Sequence, residues 1–430
     1  MPPSSGRSPG CCRRPSKGVR PTARHSTACG RSRQSPGVEN VWDADEETRV
    51  VDLEFTDEQE MFRRSVRELF AREFGRDYVR GCDRDKRPPT EAFQALGALG
   101  YLGINIPQDY GGGGAGAVDV AILLEESGRG FLDLALWVFR VVSHGGHAVS
   151  AHGTPEQRER YLPKIAGGEL SVCFALTEPE SGSDAAALKT AAKPTGAGYE
   201  VTGQKIFCSG FKVSDFVLTA TRTSTRERKH QGITNLFIPT GSPGLTATPL
   251  ETLGHWPLGT TLLHFDQVEV PEDNRIGPQD GGWPLLTDML EYERLCLSAA
   301  RTGAAQAALD DTLDYVKQRH QFGQPIGKFQ AISHKLADMQ VMVDISRMLV
   351  YRYAHRLDKG VATARDAATL KLYAAESYKA VSDLGLQALG GYGYTMEYDL
   401  QRHFRESRLG TIGGGTSEIQ RNIIAKTMGL

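Results

Sequence analysis

The chain has 430 residues, 40% of them hydrophobic and 24% charged, with a formal net charge of −2. That is ordinary globular composition, long enough for two or three domains, and its near-neutral charge gives no reason to expect a nucleic-acid partner. No apolar run reaches the roughly 18 residues of a membrane span. The seven cysteines show no paired spacing, so neither a zinc site nor a disulfide framework is indicated, and a reducing, cytoplasmic setting fits.

The chain opens with Arg7, Arg13, Arg14, Lys17, Arg20, Arg24, Arg31 and Arg33 among Pro, Ser and Gly, with no acid before Glu39. Such a segment cannot bury enough apolar surface to fold. It is Arg- and Ser-rich like a transit peptide, but it lacks an amphipathic face and is broken by prolines. Residues 1–50 are therefore read as a disordered leader or a misassigned start.

From 51 to 170 the pattern is helical. Thr56 opens a helix with a capping box to Gln59, and Phe62, Val66, Leu69, Phe70 and Phe74 make its apolar face. Helical spacing continues at 93–99, at 118–127 and before Thr154, where Thr154-Pro155-Glu156 starts another helix that should end near Pro163. From 171 to 280 short runs rich in Val, Thr, Leu and Phe alternate with Gly, Pro and Asn. The runs 171–176, 199–208, 215–220, 234–239, 245–250 and 260–270 read as strands of a small sandwich or barrel, with 221–231 a hairpin loop. From 281 to 430 long helices return, at about 283–319, 329–358, 363–390 and 416–428, and suggest a bundle. The expected class is α+β: an N-terminal helical domain, a middle β-sandwich or barrel domain and a C-terminal four-helix bundle.

One residue of the long helix stands out. Its apolar stripe runs Leu285/Leu286, Met289/Leu290, Leu297, Ala300 and Ala304, and Glu293 falls on it. Burial should push this carboxyl up toward the range of a useful general base. The same spacing also fits a structural ion pair with an arginine such as Arg301.

Other segments carry two readings each. Thr177-Glu178-Pro179-Glu180-Ser181-Gly182-Ser183-Asp184 follows a strand and gathers hydroxyls and backbone N–H groups, as a ring- or phosphate-binding loop does, or as a surface turn does. Phe207 and Ser209 end another strand. Arg319 near a helix C-terminus suits a phosphate clamp or simply the helix dipole. Gln387-Ala388-Leu389-Gly390-Gly391 is a glycine-ended helix, and Gly413-Gly414-Gly415-Thr416 leads bare backbone into a helix N-terminus, a place for an anion or an ordinary linker. His144, His147 and His152 do not share a helical ligand face, so no metal is expected. Cys208 and Cys296 lie on apolar segments and read as packed.

Taken together these segments resemble the acyl-CoA dehydrogenase family from about Phe55 to Leu430. Thr177 to Asp184 is similar to its Thr-Glu-Pro-x-x-Gly-Ser-Asp signature, Arg319-His320-Gln321-Phe322-Gly323 to its Arg-x-x-Phe-Gly motif, and Gln387 to Gly391 to its Gln-x-x-Gly-Gly motif. The resemblance implies bound FAD in a homotetramer. Phe174, Leu176, Thr177, Gly182 and Ser183 would line the flavin or its ribityl chain, and Ser183 would also meet substrate. Phe207 stands where the family usually has Trp and Ser209 where it has Thr. Arg319, Phe322, Gln330, Gln387, Gly390 and Gly391 would hold the adenine dinucleotide half from a neighbouring subunit, and Thr416 and Glu418 match the last FAD-contacting turn.

Many members carry the catalytic glutamate at the position of Gly414. The isovaleryl-CoA and long-chain branches place it instead on the long helix in a Leu-x-x-Glu-Arg-Leu segment, which here reads Leu290-Glu291-Tyr292-Glu293-Arg294-Leu295. The resemblance thus implies that Glu293 takes the α-proton of an acyl-CoA while hydride passes to the flavin. The Gly414 N–H would serve as an oxyanion donor, Arg294 would organise the site and an electron-transfer flavoprotein would be the acceptor. An acyl-carrier-protein substrate is the alternative. An O₂-reactive oxidase or monooxygenase on the same fold is a second, against which Glu293 speaks. A flavin-free scaffold would be colourless.

Overall fold

The computed structural model describes residues 54–430, and the leader expected at 1–50 lies outside the described residues. The N-terminal block holds α1 (Asp57–Glu73), α2 (Arg76–Asp85), α3 (Thr90–Ala98), α4 (Ala117–Gly130), α5 (Leu132–Arg140), α6 (Ala148–His152) and α7 (Pro155–Ala166). Reciprocal capping boxes start α1 at Thr56/Gln59 and α7 at Thr154/Gln157. Helix α7 runs through Pro163 rather than ending there. The sequence reading gave no helix at α2.

The middle block holds β1 (Val172–Ala175), β2 (Ala191–Pro194), β3 (Gly198–Ser209), β4 (Phe216–Arg222), β5 (Ile233–Pro239), β6 (Leu245–Leu250), β7 (Thr260–Pro271) and β8 (Arg275–Ile276). They form one sheet in the order β6-β7-β3-β2-β4-β5-β8, with β1 parallel to β4. Inward residues from both wings, among them Val217, Leu236 and Ile238 on one side and Val201, Phe265 and Val268 on the other, share one core. The sheet therefore folds over on itself. The 221–231 loop joins the antiparallel pair β4 and β5, as expected.

The C-terminal block holds α8 (Trp283–Gln318), a small hairpin of β9 (His320–Gln321) and β10 (Gln324–Pro325), α9 (Gln330–Asp358), α10 (Ala364–Leu389), α11 (Leu400–Gly410) and α12 (Ser417–Thr427). Helix α11 is absent from the sequence reading. Its run of Arg402, His403, Arg405, Glu406 and Arg408 looks solvent-facing, yet Arg402, His403 and Glu406 are buried. The α4–α8 contact depends on two glycines. A β-carbon on Gly303 would stand 1.8 Å from the Glu125 backbone oxygen, and one on Gly128 would stand 2.1 Å from that of Ala300. Only bare backbone allows this approach, which brings the first half of α8 against the N-terminal helices.

Candidate active site

Glu293 is buried, as the stripe requires, but its partner is not an arginine. His144 Nε2 lies 3.1 Å from Glu293 Oε2, and both side chains are almost fully buried. His144 reaches it because the chain from α5 to α6 passes through a π-helical segment, Val141–His147. Such a segment shifts the phase of the side chains and is frequent at functional sites. Asn105 Nδ2 donates to the Val142 carbonyl within it, at 3.1 Å. The sequence expectation of a raised carboxyl is reversed. Burial does push Glu293 up, but the hydrogen bond and charge of His144, then Arg294 and Arg140, outweigh it and hold the carboxyl below its ordinary value.

The other two histidines also go to a carboxylate of α8. His147 Nε2 and His152 Nε2 stand 3.0 and 2.8 Å from Asp288 Oδ2. His144, His147 and His152 are thus all engaged by carboxylates of α8. Elsewhere the buried side chains of Asp133, His255 and Glu406 converge. Here the hydrogen bond of His255 Nδ1 to Asp133 Oδ1, at 2.9 Å, and the contact of its Nε2 with the Glu406 backbone oxygen, at 3.2 Å, account for the imidazole.

The second oxygen of Glu293, Oε1, accepts no hydrogen bond among the described residues, and it faces the loop before α12. A β-carbon on Gly414 would meet Glu293 Oε1 at 3.4 Å and Leu297 Cδ1 at 3.2 Å. Gln420 Nε2 donates to the carbonyls of Gly414 and Gly415, at 3.2 and 3.0 Å, and Lys371 Nζ donates to Gly415. The carbonyls are thereby held back on the protein side. The Gly414 N–H meets no acceptor among the described residues. Thr416 caps α12 through Ile419 N, with Glu418 exposed in the first turn. Lys371, at the other flank, is buried. Desolvation, with Arg301 and Arg294 behind it, pushes its ammonium down to about 7.

The β side of the site begins with Phe174, whose ring centroid lies 5.0 Å from that of His144. Thr177 is tied to β3 by Ile206 N donating to its carbonyl at 2.9 Å. Glu178 is the loop's anchor. Its carboxylate accepts from Lys189 N, Thr190 N and Lys205 Nζ at 2.7–2.8 Å, and Lys205 also donates to the Leu176 carbonyl at 2.9 Å. This leaves Gly182 and Ser183 exposed at the loop's edge. A register shift between Lys205 and Cys208 bends β3 and turns Phe207 outward, 63% exposed at φ 61°. Ser209 Oγ sits 3.0 Å from Thr260 Oγ1. An exposed aromatic in a conformation that costs energy, beside bare backbone and hydroxyls, suits a planar ring laid against this wall.

The remaining expected cofactor residues are elsewhere. Arg319, Phe322, Gln330, Gln387, Gly390 and Gly391 are all exposed, around the hairpin and the C-terminal end of α10. Arg319 lies 5.4 Å over the Tyr392 ring, and both line an open cavity of about 530 Å³. None of the described residues stands within 4 Å of a β-carbon placed on Gly390 or Gly391. At about 1.5 Å per residue, Arg319 lies roughly 39 Å along α8 from Glu293. Arg319 thus closes the C-terminal end of α8, whereas Glu293 lies in the first third of that helix.

Sequence reasoning missed His144, Lys371, Gln420 and the Glu178–Lys205 pair. His144 had a signal: it stands directly before a Gly-Gly pair in a segment rich in apolar residues. Arg294 is buried, and its Nε has no partner among the described residues.

Known proteins similar to this chain share one family. The family models for the acyl-CoA dehydrogenase N-terminal, middle and C-terminal domains match residues 56–169, 173–268 and 280–429. The mitochondrial isovaleryl-CoA dehydrogenase of Oryza sativa subsp. japonica is 36% identical over 385 residues, covering 87% of this chain and 92% of that protein. The butyryl-CoA dehydrogenase of Megasphaera elsdenii superposes with a TM-score of 0.84 at 30% identity, covering 88% of this chain and 99% of that one. The prolyl acyl carrier protein oxidase AnaB superposes with a TM-score of 0.83 at 27% identity, over 88% and 100% of the two chains.

Proposed function

The chain belongs to the acyl-CoA dehydrogenase family, and we propose that Glu293 is the base with which this FAD-dependent enzyme removes the α-proton of an acyl-CoA thioester. The observation that carries this reading is the meeting of Glu293 Oε1 with Gly414, the two places where the family resemblance puts a catalytic glutamate. FAD, when bound, supplies the acceptor for the β-hydrogen and its electron pair. Phe174, Leu176, Thr177, Gly182, Ser183, Phe207 and Ser209 are the residues we assign to the flavin end, with Thr416 and Glu418 at the closing turn. Arg319, Phe322, Gln330, Gln387, Gly390 and Gly391 lie around the hairpin after α8 and the end of α10, and we assign them to the cofactor of a neighbouring subunit in a homotetramer.

The protein's own work is placement and electrostatics. Glu293 is held ionised, so Oε1 can take the α-proton as the C–H bond breaks. Negative charge then grows on the thioester oxygen, and the Gly414 N–H is the donor we assign to it. Buried positive charge on Arg294 favours the same charge development. Electrons leave to an electron-transfer flavoprotein. No helix among the described residues is long and apolar enough to cross a membrane.

The test is anaerobic titration of wild type and Glu293→Gln with isovaleryl-, butyryl- and glutaryl-CoA while flavin absorbance is followed. Bleaching by one acyl-CoA in wild type and its loss in the variant supports the reading. Equal bleaching in both removes Glu293 from the mechanism. A yellow protein that no acyl-CoA bleaches points to an acyl group on a carrier protein, the substrate named for AnaB.

A further inference from the structure

We infer that His144 is a positioning residue for Glu293: its Nε2–H holds Oε2 and leaves Oε1 turned toward Gly414. The inference rests on Glu293 being the base, and it adds the reason one oxygen of that base is reactive and the other is not.

Three observations carry it. First, the contact is directional and dry. The 3.1 Å separation joins Nε2 to Oε2, both groups are buried, and an ionised carboxylate can only accept, so the proton is on Nε2. Second, the imidazole is fixed from two sides. Phe139 packs edge-on at 5.1 Å and Phe174 tilts over it at 5.0 Å between ring centroids. Phe174 is also the residue assigned to the flavin wall, so one ring links base and wall. Third, the arrangement has a cost that packing alone does not explain. The backbone leaves α-helical form over Val141–His147 to present His144, and its Nδ1 is buried with no partner among the described residues. An orphaned buried polar atom of this kind calls for a functional account.

The chemistry follows from the hydrogen bond. When Oε1 takes the α-proton, Oε2 becomes the carbonyl oxygen of a neutral acid and still accepts from Nε2–H. His144 therefore need not gain or lose a proton in the step. It keeps the carboxyl from rotating and favours its ionised form before the step. The other groups around Glu293 are Arg140 from the end of α5, Arg294, Cys296 and Arg301 on α8 itself, and Lys371 from α10. None of these is hydrogen-bonded to the carboxylate among the described residues; His144 is.

The experiment compares the holoenzyme with His144→Leu, His144→Gln and Glu293→Gln, using the acyl-CoA that bleaches the wild-type flavin. His144→Leu should lower kcat/KM roughly 10–100-fold at pH 7, the worth of a hydrogen bond to a charged group. It should also move the acid limb of the kcat/KM profile up by about one pH unit or more, because burial then acts on Glu293 with less opposition. His144→Gln keeps an N–H donor and should recover part of both effects. An acid limb unmoved in His144→Leu, with Glu293→Gln inactive, overturns the role of His144 and leaves the base standing. Activity in Glu293→Gln overturns the base and this inference with it. A second measurement needs no substrate: melting temperatures of His144→Leu, Glu293→Gln and the double variant. Non-additive losses are expected, and additive losses would overturn the coupling.

Discussion

A β-carbon on Gly414 would stand 3.4 Å from Oε1 of Glu293. Two chain positions 121 residues apart, 293 and 414, thus address one point. Gly414→Glu in an otherwise unchanged chain puts two acids together and forces a side chain onto a backbone at φ 69°. It should abolish turnover. Glu293→Gly alone should lose roughly 10²–10⁴-fold, as expected for a missing general base. The double variant should recover a measurable part of that loss. Initial rates with the preferred acyl-CoA check all three, and a double variant no better than Glu293→Gly would show that the two positions are not interchangeable here.

The loop that starts the flavin wall is predicted to depend on a buried ion pair. Lys205 is fully buried, and desolvation pushes its ammonium down to about 8 despite Glu178. Burial likewise pushes Glu178 up, but Lys205 and the amides of the 189–190 turn bring it below its ordinary value. Lys205→Met removes the cation and leaves the carboxylate buried among fewer donors. The expected cost is about 3–5 kcal/mol in urea unfolding, with loss of bound flavin on dialysis. The double variant Glu178→Gln/Lys205→Met should cost less than Lys205→Met alone, since no unpaired charge remains.

Lys371 gives a pH-dependent prediction of opposite kind. Its value in the fold is about 7, against about 10.4 in an unfolded chain. Below pH 7 the fold must hold a charged, desolvated ammonium. From pH 7 to about 10.4 the unfolded chain binds more protons, so this cost fades and stability from this group rises with pH. Lys371→Met should therefore raise the melting temperature at pH 6, by more than the lost bond to Gly415 takes away, and the gain should shrink or reverse near pH 10. Activity should fall at both values, because the 413–415 loop loses a tether. Melting curves of the two proteins at pH 6 and pH 10 decide it.

How much of this was legible in the sequence follows from range. The capping boxes, the strand runs and the stripe on α8 are local patterns, and each appears where the spacing puts it. Glu293 was found because a carboxylate on an apolar stripe is visible within seven residues. Its electrostatics were not, because they depend on His144, 149 residues away and aimed by a π-helical turn that no 3.6-residue period predicts. Helix α11 was missed for a related reason. Its charged residues are buried by partners on other elements, such as Asp83 with Arg405 at 2.6 Å, so its polarity does not report exposure. Gln420 and Lys371 act on a glycine loop through backbone carbonyls and carry no motif.

Phe207 separates cofactor binding from stability. Its side chain is 63% exposed and its backbone is at φ 61°, a region that disfavours every residue with a β-carbon. If the fold alone set this position, glycine would be the better residue. Phe207→Gly should therefore leave the melting temperature of the flavin-free protein unchanged or raise it, by up to about 1 kcal/mol of relieved strain. The same change removes the aromatic face assigned to the flavin, so FAD should be lost on dialysis far faster than from wild type. Phe207→Trp should keep the flavin, because it preserves the aromatic surface. The check is the ratio of FAD to protein after dialysis, read beside the melting temperature of the stripped protein. A glycine variant that melts lower yet keeps its flavin would make Phe207 a packing residue and take it out of the cofactor site.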